Sequence, residues 1–191
     1  MSVLHLASSS PRRRDLLQAV GLTFSYAGVD VCEDRRKDEP ALEMVERLAI
    51  EKARAALPRD GVVIGADTAV VLGDRVFGKP SSEAEGIAML TALSGIVHEV
   101  MTGVAVAFGG RVSTVVSCSS VAFRDIDPAE ARQYWQSGEP RDKAGGYAIQ
   151  GLGAVFVREL RGSYTGVVGL PMFETAQLLA AAGIDVLRGA E

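Results

Sequence analysis

The chain is poor in the side chains that build metal frameworks, with 2 cysteines and 2 histidines in 191 residues. Cys32 and Cys118 lie far apart, and with only His5 and His98 beside them no zinc-ligand spacing exists. Both cysteines read as small apolar residues of a reducing compartment. A basic excess is missing too: the net charge is -4, which argues against a nucleic-acid-binding protein. Aromatic stacking motifs of the kind that hold single strands are absent. No apolar run reaches the ~20 residues needed to span a bilayer. The N-terminus reads apolar first and basic second, the reverse of a secretory signal. The expectation is a cytoplasmic protein with no membrane and no nucleic-acid partner.

Hydrophobic residues at 48% and charged residues at 23% suffice for a useful core. No repeat, low-complexity tract or long linker interrupts the chain, so residues 1–191 read as one domain, or as two lobes sharing one core. Strand 1 is expected at Val3 to Ala7, followed by a helix with Ser10 as N-cap and Pro11 at its first position. A short strand at Phe24 to Tyr26 precedes a helix from Pro40 to Leu57, whose apolar face reads as Leu42, Val45, Leu48 and Ala49. "GVVIGAD" has the nearly continuous apolar pattern of a buried strand, and "VVLGDRVF" reads as a hairpin around Gly73-Asp74. A helix from Ser82 to Leu93 and a long hairpin turning at Gly109-Gly110 follow. Asp127, Pro128 and Glu130 open another helix that Gly138 stops. A strand at Val155 to Leu160, an irregular loop "GSYTGVVGLP" and a last helix from Met172 to Ala182 complete the reading. Strands alternating with helices, broken by hairpins, predict an α/β layered fold with a mixed sheet.

Three arginines at the start of a helix, in "ASSSPRRR", are unusual because positive residues oppose the helix dipole there. Either Ser8, Ser9, Ser10, Arg12 and Arg13 hold a phosphate at the helix N-terminus, or a serine cap is followed by solvent-facing arginines. "GDRVFGKP" imitates a phosphate-binding P-loop, but Pro80 stands where a Ser or Thr would ligate magnesium, and the stretch follows a hairpin instead of forming a strand-to-helix glycine loop. Lys79 is then a point charge for a phosphate or an exposed turn lysine. Asp67, just past the buried strand and beside Thr68, is placed for ligand binding or for a local turn. Glu33 is a second carboxylate or part of a solvated acidic loop, and Lys52 reads as a surface helix lysine. The glycines of "DKAGGYAIQG" permit close approach of a ligand, and Gln150 can read a nucleobase edge; a plain flexible turn is the alternative. His98 reads as structural.

Together "ASSSPRR", "EKA", "GADT", "GKP", "SGIVHEVMTGV", "DKAGGYAIQG" and "GSYTGVVGLP" resemble the Maf nucleotide pyrophosphatases, in family order and over nearly the whole chain. The resemblance implies an elongated α/β/α fold related to inosine triphosphate pyrophosphatases, with a mixed central sheet and a cleft between two lobes. It implies hydrolysis of a nucleoside triphosphate to the monophosphate and pyrophosphate, with Mg2+ or Mn2+, in a homodimer. Asp67 would accept a proton. Ser8, Arg12, Arg13, Glu33, Lys52 and Lys79 would line the phosphate site, with Glu33 and Asp67 as metal ligands. Arg12, Thr68 and Gln150 match the trio of the branch that prefers dTTP and UTP. Gly146 and Gly166 depart from the family pattern, where Ala and a larger polar residue such as Asn are usual. Rival expectations are a nucleotide-binding regulator of cell division without turnover and a nucleic-acid binder built on the arginine cluster.

Overall fold

A computed structural model describes residues 3–56 and 61–188. Among them the elements run β1 (Leu4–Leu6), α1 (Pro11–Ala19), β2 (Ser25–Tyr26), α2 (Ala41–Ala55), β3 (Val62–Leu72) and β4 (Arg75–Phe77). Then come α3 (Glu83–Leu93), β5 (Val97–Phe108), β6 (Arg111–Phe123), α4 (Pro128–Gln136), β7 (Val157–Arg161), α5 (Tyr164–Val168) and α6 (Met172–Ala181). The protein is α/β. Its strands form one open sheet in the order β2-β1-β3-β5-β6-β7, with β4 paired to β3. The sheet is mixed: β1 runs parallel to β2 and β3, while β3–β4 and β6–β7 are antiparallel.

The described chain falls into two compact units. The first holds the chain up to Asp67, the stretch Thr102–Ser117, and the chain from Gly169 onward; the second holds Thr68–Met101 and Cys118–Val168. In the first, Leu6, Leu17, Ile64, Val104, Leu170 and Leu179 form one apolar cluster, and the small residues Ala7, Ala49, Ala53, Val63, Ala105 and Ala107 form another. In the second, Phe77, Leu90, Leu93, Val121, Phe123 and Phe156 belong to a single cluster. Burying such side chains removes ~25 cal/mol of free energy per Å² of apolar surface taken from water, the main term holding each unit together.

Local chemistry explains the element ends. Asp127 caps α4 by accepting the Ala129 N–H at 2.7 Å, and Glu130 returns a bond to the Asp127 N–H at 3.0 Å, a reciprocal capping box. Ser82 caps α3 through the Glu85 N–H at 3.2 Å. Gly109 and Gly110 both take positive φ, 56° and 77°, which a two-residue hairpin turn requires and side-chain-bearing residues resist. The false P-loop is resolved: Gly73 lies in a hairpin turn and β4 separates it from Gly78, so the two glycines share no phosphate-wrapping loop.

Several boundaries differ from the sequence expectation. Leu42 is 43% exposed, because the buried stripe of α2 runs through Ala41, Val45, Leu48 and Lys52, one residue out of phase with it. The helix end expected at Leu57 lies outside the described residues. Val155 belongs to a 3-10 turn over Gly151–Phe156, so β7 starts two residues later. "SYTGVV" is no irregular loop: α5 forms there, its start held by the Ser163 hydroxyl accepting the Gly166 N–H at 2.9 Å. The most consequential difference concerns Asp67. Sequence placed it beyond a strand, whereas β3 runs on to Leu72, parallel to β1 over Val62–Ile64 and antiparallel to β4 over Val70–Leu72. Asp67 lies between those pairings, past the carboxyl end of β1, where ligand sites of α/β sheets occur.

Candidate active site

Strand alternation builds the centre of the first unit. Val62, Ile64 and Ala66 put their side chains into the cluster shared with Leu17 and Leu179, so Val63, Gly65 and Asp67 face the other way, toward α2. Val63 packs with Ala49 and Ala53. At Gly65 the backbone of α2 approaches so closely that an added Cβ would stand 2.5 Å from the Ala53 nitrogen and nearer still to the Ala49 carbonyl. Gly103 on β5 admits the same helix, since a Cβ there would lie 2.7 Å from the Val45 carbonyl carbon. Two residues along β3 from Gly65, this close packing delivers Lys52 to Asp67.

Lys52 is buried, its side chain 9% exposed. Its ammonium donates to Asp67 Oδ1 at 2.7 Å and lies 2.6 Å from Glu33 Oε1. An ammonium taken out of water needs such counter-charges, because desolvation of an unpaired ion costs several kcal/mol. Asp67 is 14% exposed and Glu33 53%, so the carboxylate on the strand is the sheltered partner and the one on the loop faces solvent. The reading of Lys52 as a surface lysine is overturned. Its helix is amphipathic, and Lys52 falls on the apolar stripe.

The serine–arginine corner sits in the same unit. The Ala7 N–H donates to Ile64 O at 2.8 Å, which fixes the exit of β1 beside β3. Ser10 occupies the N-cap position of α1, yet its side chain makes no capping bond and no acidic residue follows in the first turn. Instead buried Ser8 accepts the Ser10 N–H at 3.2 Å and Arg13 Nη1 at 3.2 Å. Arg13 Nε donates to the Gly169 carbonyl at 2.7 Å. Burial lowers the Arg13 pKa from its ordinary value; Asp67 opposes that fall, Arg12 adds to it and Glu33 opposes it again. Arg13 is thus within electrostatic reach of both carboxylates. Ser8, Arg12, Arg13, Glu33, Lys52 and Asp67 belong to this unit, and the Arg13 charge feels Asp67, Arg12 and Glu33. Arginines beside a helix N-terminus without a side-chain cap are suited to a polyanion.

Thr68, Lys79 and Gln150 belong to the second unit. Lys79 is exposed on the turn after β4, and Gly78 of that turn accepts the Gly145 N–H at 3.0 Å, tying it to "DKAGG". The glycine-rich segment around Gln150 is not a flexible turn. Tyr147 shares a 2.8 Å hydrogen bond with His98 Nε2, and the Ala148 N–H donates to Tyr134 Oη at 3.0 Å. Glu139 accepts the Leu152 and Gly153 N–H groups, each at 2.9 Å, and the Tyr134 hydroxyl at 2.7 Å. Burial works to raise the Glu139 carboxyl; the two N–H groups and Tyr134 outweigh it, so its pKa lies below the ordinary carboxylate range. His98 is structural, as its sequence context suggested: burial lowers its pKa to about 4, against a small opposing backbone bond at Ile96. Tyr134, Glu139, Glu39 and Arg47 had no sequence signal, since their partners lie elsewhere along the chain or in its loops.

Among the described residues no group of three or more His, Cys, Asp or Glu side chains is arranged to hold a metal. Glu33 and Asp67 nonetheless converge on one ammonium, and two carboxylates with no soft ligand are a donor set that would suit a hard divalent cation. No described helix is long and apolar enough to cross a membrane.

A profile of the Maf-like protein family matches residues 3–182. A dTTP/UTP pyrophosphatase of Saccharophagus degradans is 53% identical over 189 residues, covering 96% of this chain and 90% of the relative. One from Alkalilimnicola ehrlichii is 49% identical, covering 97% of this chain and 95% of the relative, and one from Vibrio parahaemolyticus is 50% identical, covering 92% and 95%.

Proposed function

The chain belongs to the Maf family, and on that premise we propose that it is a pyrophosphatase that hydrolyses dTTP and UTP to the nucleoside monophosphate and pyrophosphate. The observation that carries this reading is the buried Lys52 ammonium bridging Asp67 and Glu33 beside Arg13. Support for the substrate comes from the relatives bearing that name and from Arg12, Thr68 and Gln150, the trio of the pyrimidine-preferring branch.

A triphosphate brings about four negative charges that repel an attacking nucleophile, so much of the work is electrostatic. Arg12, Arg13 and Lys52 bind and shield the β- and γ-phosphates, together with the N–H groups of the first turn of α1 and the Ser8 hydroxyl. Arg13 enters with little conformational freedom left, because Gly169 O and Ser8 Oγ already fix its guanidinium. Such fixed cations also stabilise pyrophosphate as it departs. Water attacks the α-phosphorus, the α–β anhydride oxygen leaves with its electron pair, and Asp67 takes the proton of the attacking water. Lys52 engages Oδ1, so the proton is assigned to Oδ2. Lys52 aims Asp67 by holding one of its oxygens. A divalent cation, Mg2+ or Mn2+, held by Glu33 and Asp67, would supply charge neutralisation and a more acidic water when bound. The assignment of Thr68, Lys79 and Gln150 to the nucleotide rests on the family motifs alone. On the same likeness the whole chain is taken as one catalytic domain acting in the cytoplasm as a homodimer.

The deciding experiment is a panel of nucleoside triphosphates with Mg2+ or Mn2+ that separates monophosphate plus pyrophosphate from diphosphate plus phosphate. dTTP and UTP should yield the first pair. Binding without turnover would overturn the enzyme reading in favour of a regulator, and release of phosphate alone would move the attack to the γ-phosphorus. Asp67→Asn should abolish turnover in a chain that still folds, with a lowered melting temperature because buried Lys52 then keeps only the exposed Glu33 as counter-charge.

A further inference from the structure

Glu33 lies on a stretch, residues 27–40, that forms neither helix nor strand. Its side chain is half exposed, yet its carboxylate meets Lys52 at 2.6 Å. An exposed glutamate on irregular chain does not hold such a position unaided, because ordering a long side chain and its backbone costs roughly 2 kcal/mol or more. Something must fix the loop.

The fixture stands six residues on. Glu39 is buried, and the Arg47 guanidinium grips it with two parallel bonds, Nε to Oε1 at 2.6 Å and Nη2 to Oε2 at 2.8 Å. The same Glu39 oxygen Oε2 accepts the Arg36 N–H at 2.9 Å, while Arg35 Nε donates to the Glu39 carbonyl at 2.7 Å. A turn closes between them through the Glu39 N–H and Arg36 O at 3.2 Å, with Asp38 in the left-handed region at φ 57°. Arg47 Nη2 reaches one step further, to the carbonyl of Asp34 at 3.2 Å, the residue adjoining Glu33. Its Nη1 is steadied on the helix by Glu51 Oε2 at 3.2 Å. Arg47 and Lys52 share α2, five residues or about 7.5 Å of helix apart. One rigid element therefore carries both the anchor of the loop and the cation that the loop's carboxylate must meet.

We propose that the Arg47–Glu39 ion pair is a positioning device of the candidate site, which holds residues 33–39 so that Glu33 is set against Lys52. The role of Glu33 in catalysis rests on the function proposed above; the placement of Glu33 does not. A forked guanidinium is required, since a lysine at 47 makes a single-point contact and cannot hold both Glu39 oxygens and the Asp34 carbonyl. A buried pair of this kind serves conformational specificity more than net stability.

The test uses Arg47→Met, Arg47→Lys and Glu39→Gln in the full chain. Carbodiimide coupling, which joins a carboxylate to an amine only at contact distance, is read by peptide mass spectrometry without substrate or metal. Wild-type protein should give both Glu33–Lys52 and Asp67–Lys52 links. In Arg47→Met the first should fall relative to the second by at least about tenfold, and Arg47→Lys should recover part of the loss. An unchanged ratio overturns the proposal. The second readout is pyrophosphate release: Arg47→Met should lower kcat/KM in the wild-type background and have no further effect in a Glu33→Gln background. Additive losses would mean that Arg47 acts by another route, and would also overturn it. If Arg47→Met does not fold, Arg47→Lys and Glu39→Gln carry the same comparisons. A wild-type protein that turns over no nucleotide defeats the proposed function and leaves the coupling ratio to decide the clamp.

Discussion

Gly65→Ala is the sharpest test of how the fold makes the site. A methyl group at 65 would project from β3 into the backbone of α2, 2.5 Å from the Ala53 nitrogen, where ordinary contact begins near 3.4 Å. The obstructing atoms are main chain, so no rotamer change relieves the clash; the helix has to retreat by about 1 Å. Overpacking of that order costs about 1–3 kcal/mol, which lowers the melting temperature by about 2–12 °C in a protein of this size. The functional effect should exceed the thermal one. Lys52 rides on the displaced helix, and a 1 Å shift stretches its 2.7 Å bond to Asp67 beyond hydrogen-bonding distance. Misplacement of that size can cost about a hundredfold in rate. The assay is pyrophosphate release from dTTP, alongside urea unfolding to give the stability change separately. A variant that is destabilised but keeps wild-type kcat/KM would refute the claim that close helix–strand packing at Gly65 sets the Lys52–Asp67 geometry.

His98 should make the second unit acid-sensitive. Its folded pKa of about 4 lies below the ordinary 6.5, so the unfolded chain binds the extra proton between those values. Its contribution is complete above pH 6.5, is lost as pH falls toward 4, and amounts to about 3 kcal/mol; His98→Gln should flatten urea-unfolding stability across that window. Asp127→Ala should cost about 1 kcal/mol by removing the α4 capping box, with kcat and KM unchanged. Arg12→Ala should raise the KM for dTTP and alter the ratio of UTP to GTP turnover; a preserved ratio would remove Arg12 from base selection.

Much of this protein was legible without coordinates because it is written in local chemistry. Period-two and period-3.6 patterns, Asp127 and Pro128 at a helix start, and Gly109-Gly110 at a hairpin tip act over a few residues, so the mixed α/β reading and most elements followed from them. The motif order carried the family. Local patterns erred where two pairings had to be joined: nothing in "GADTAVV" announces that β3 passes from a parallel to an antiparallel neighbour with Asp67 between.

The site was legible only as a set of residue types. Sequence could offer a serine–arginine corner, two carboxylates and a lysine, but local pattern put Lys52 at the surface and Glu33 in a solvated loop. The placement of Lys52 changes when α2 packs against β3 through Gly65, because burial is a property of the neighbour and not of the residue. Glu33 stays on a solvent-facing loop and gains the Lys52 contact. Likewise the Arg47–Glu39 pair and the grip of Glu139 on the segment around Gln150 join chain positions whose sequences are silent about each other. Sequence determined which charges and turns the chain can make; tertiary packing decided which of them are taken out of water, and that is what gives a lysine, an aspartate and an arginine the strength to act together.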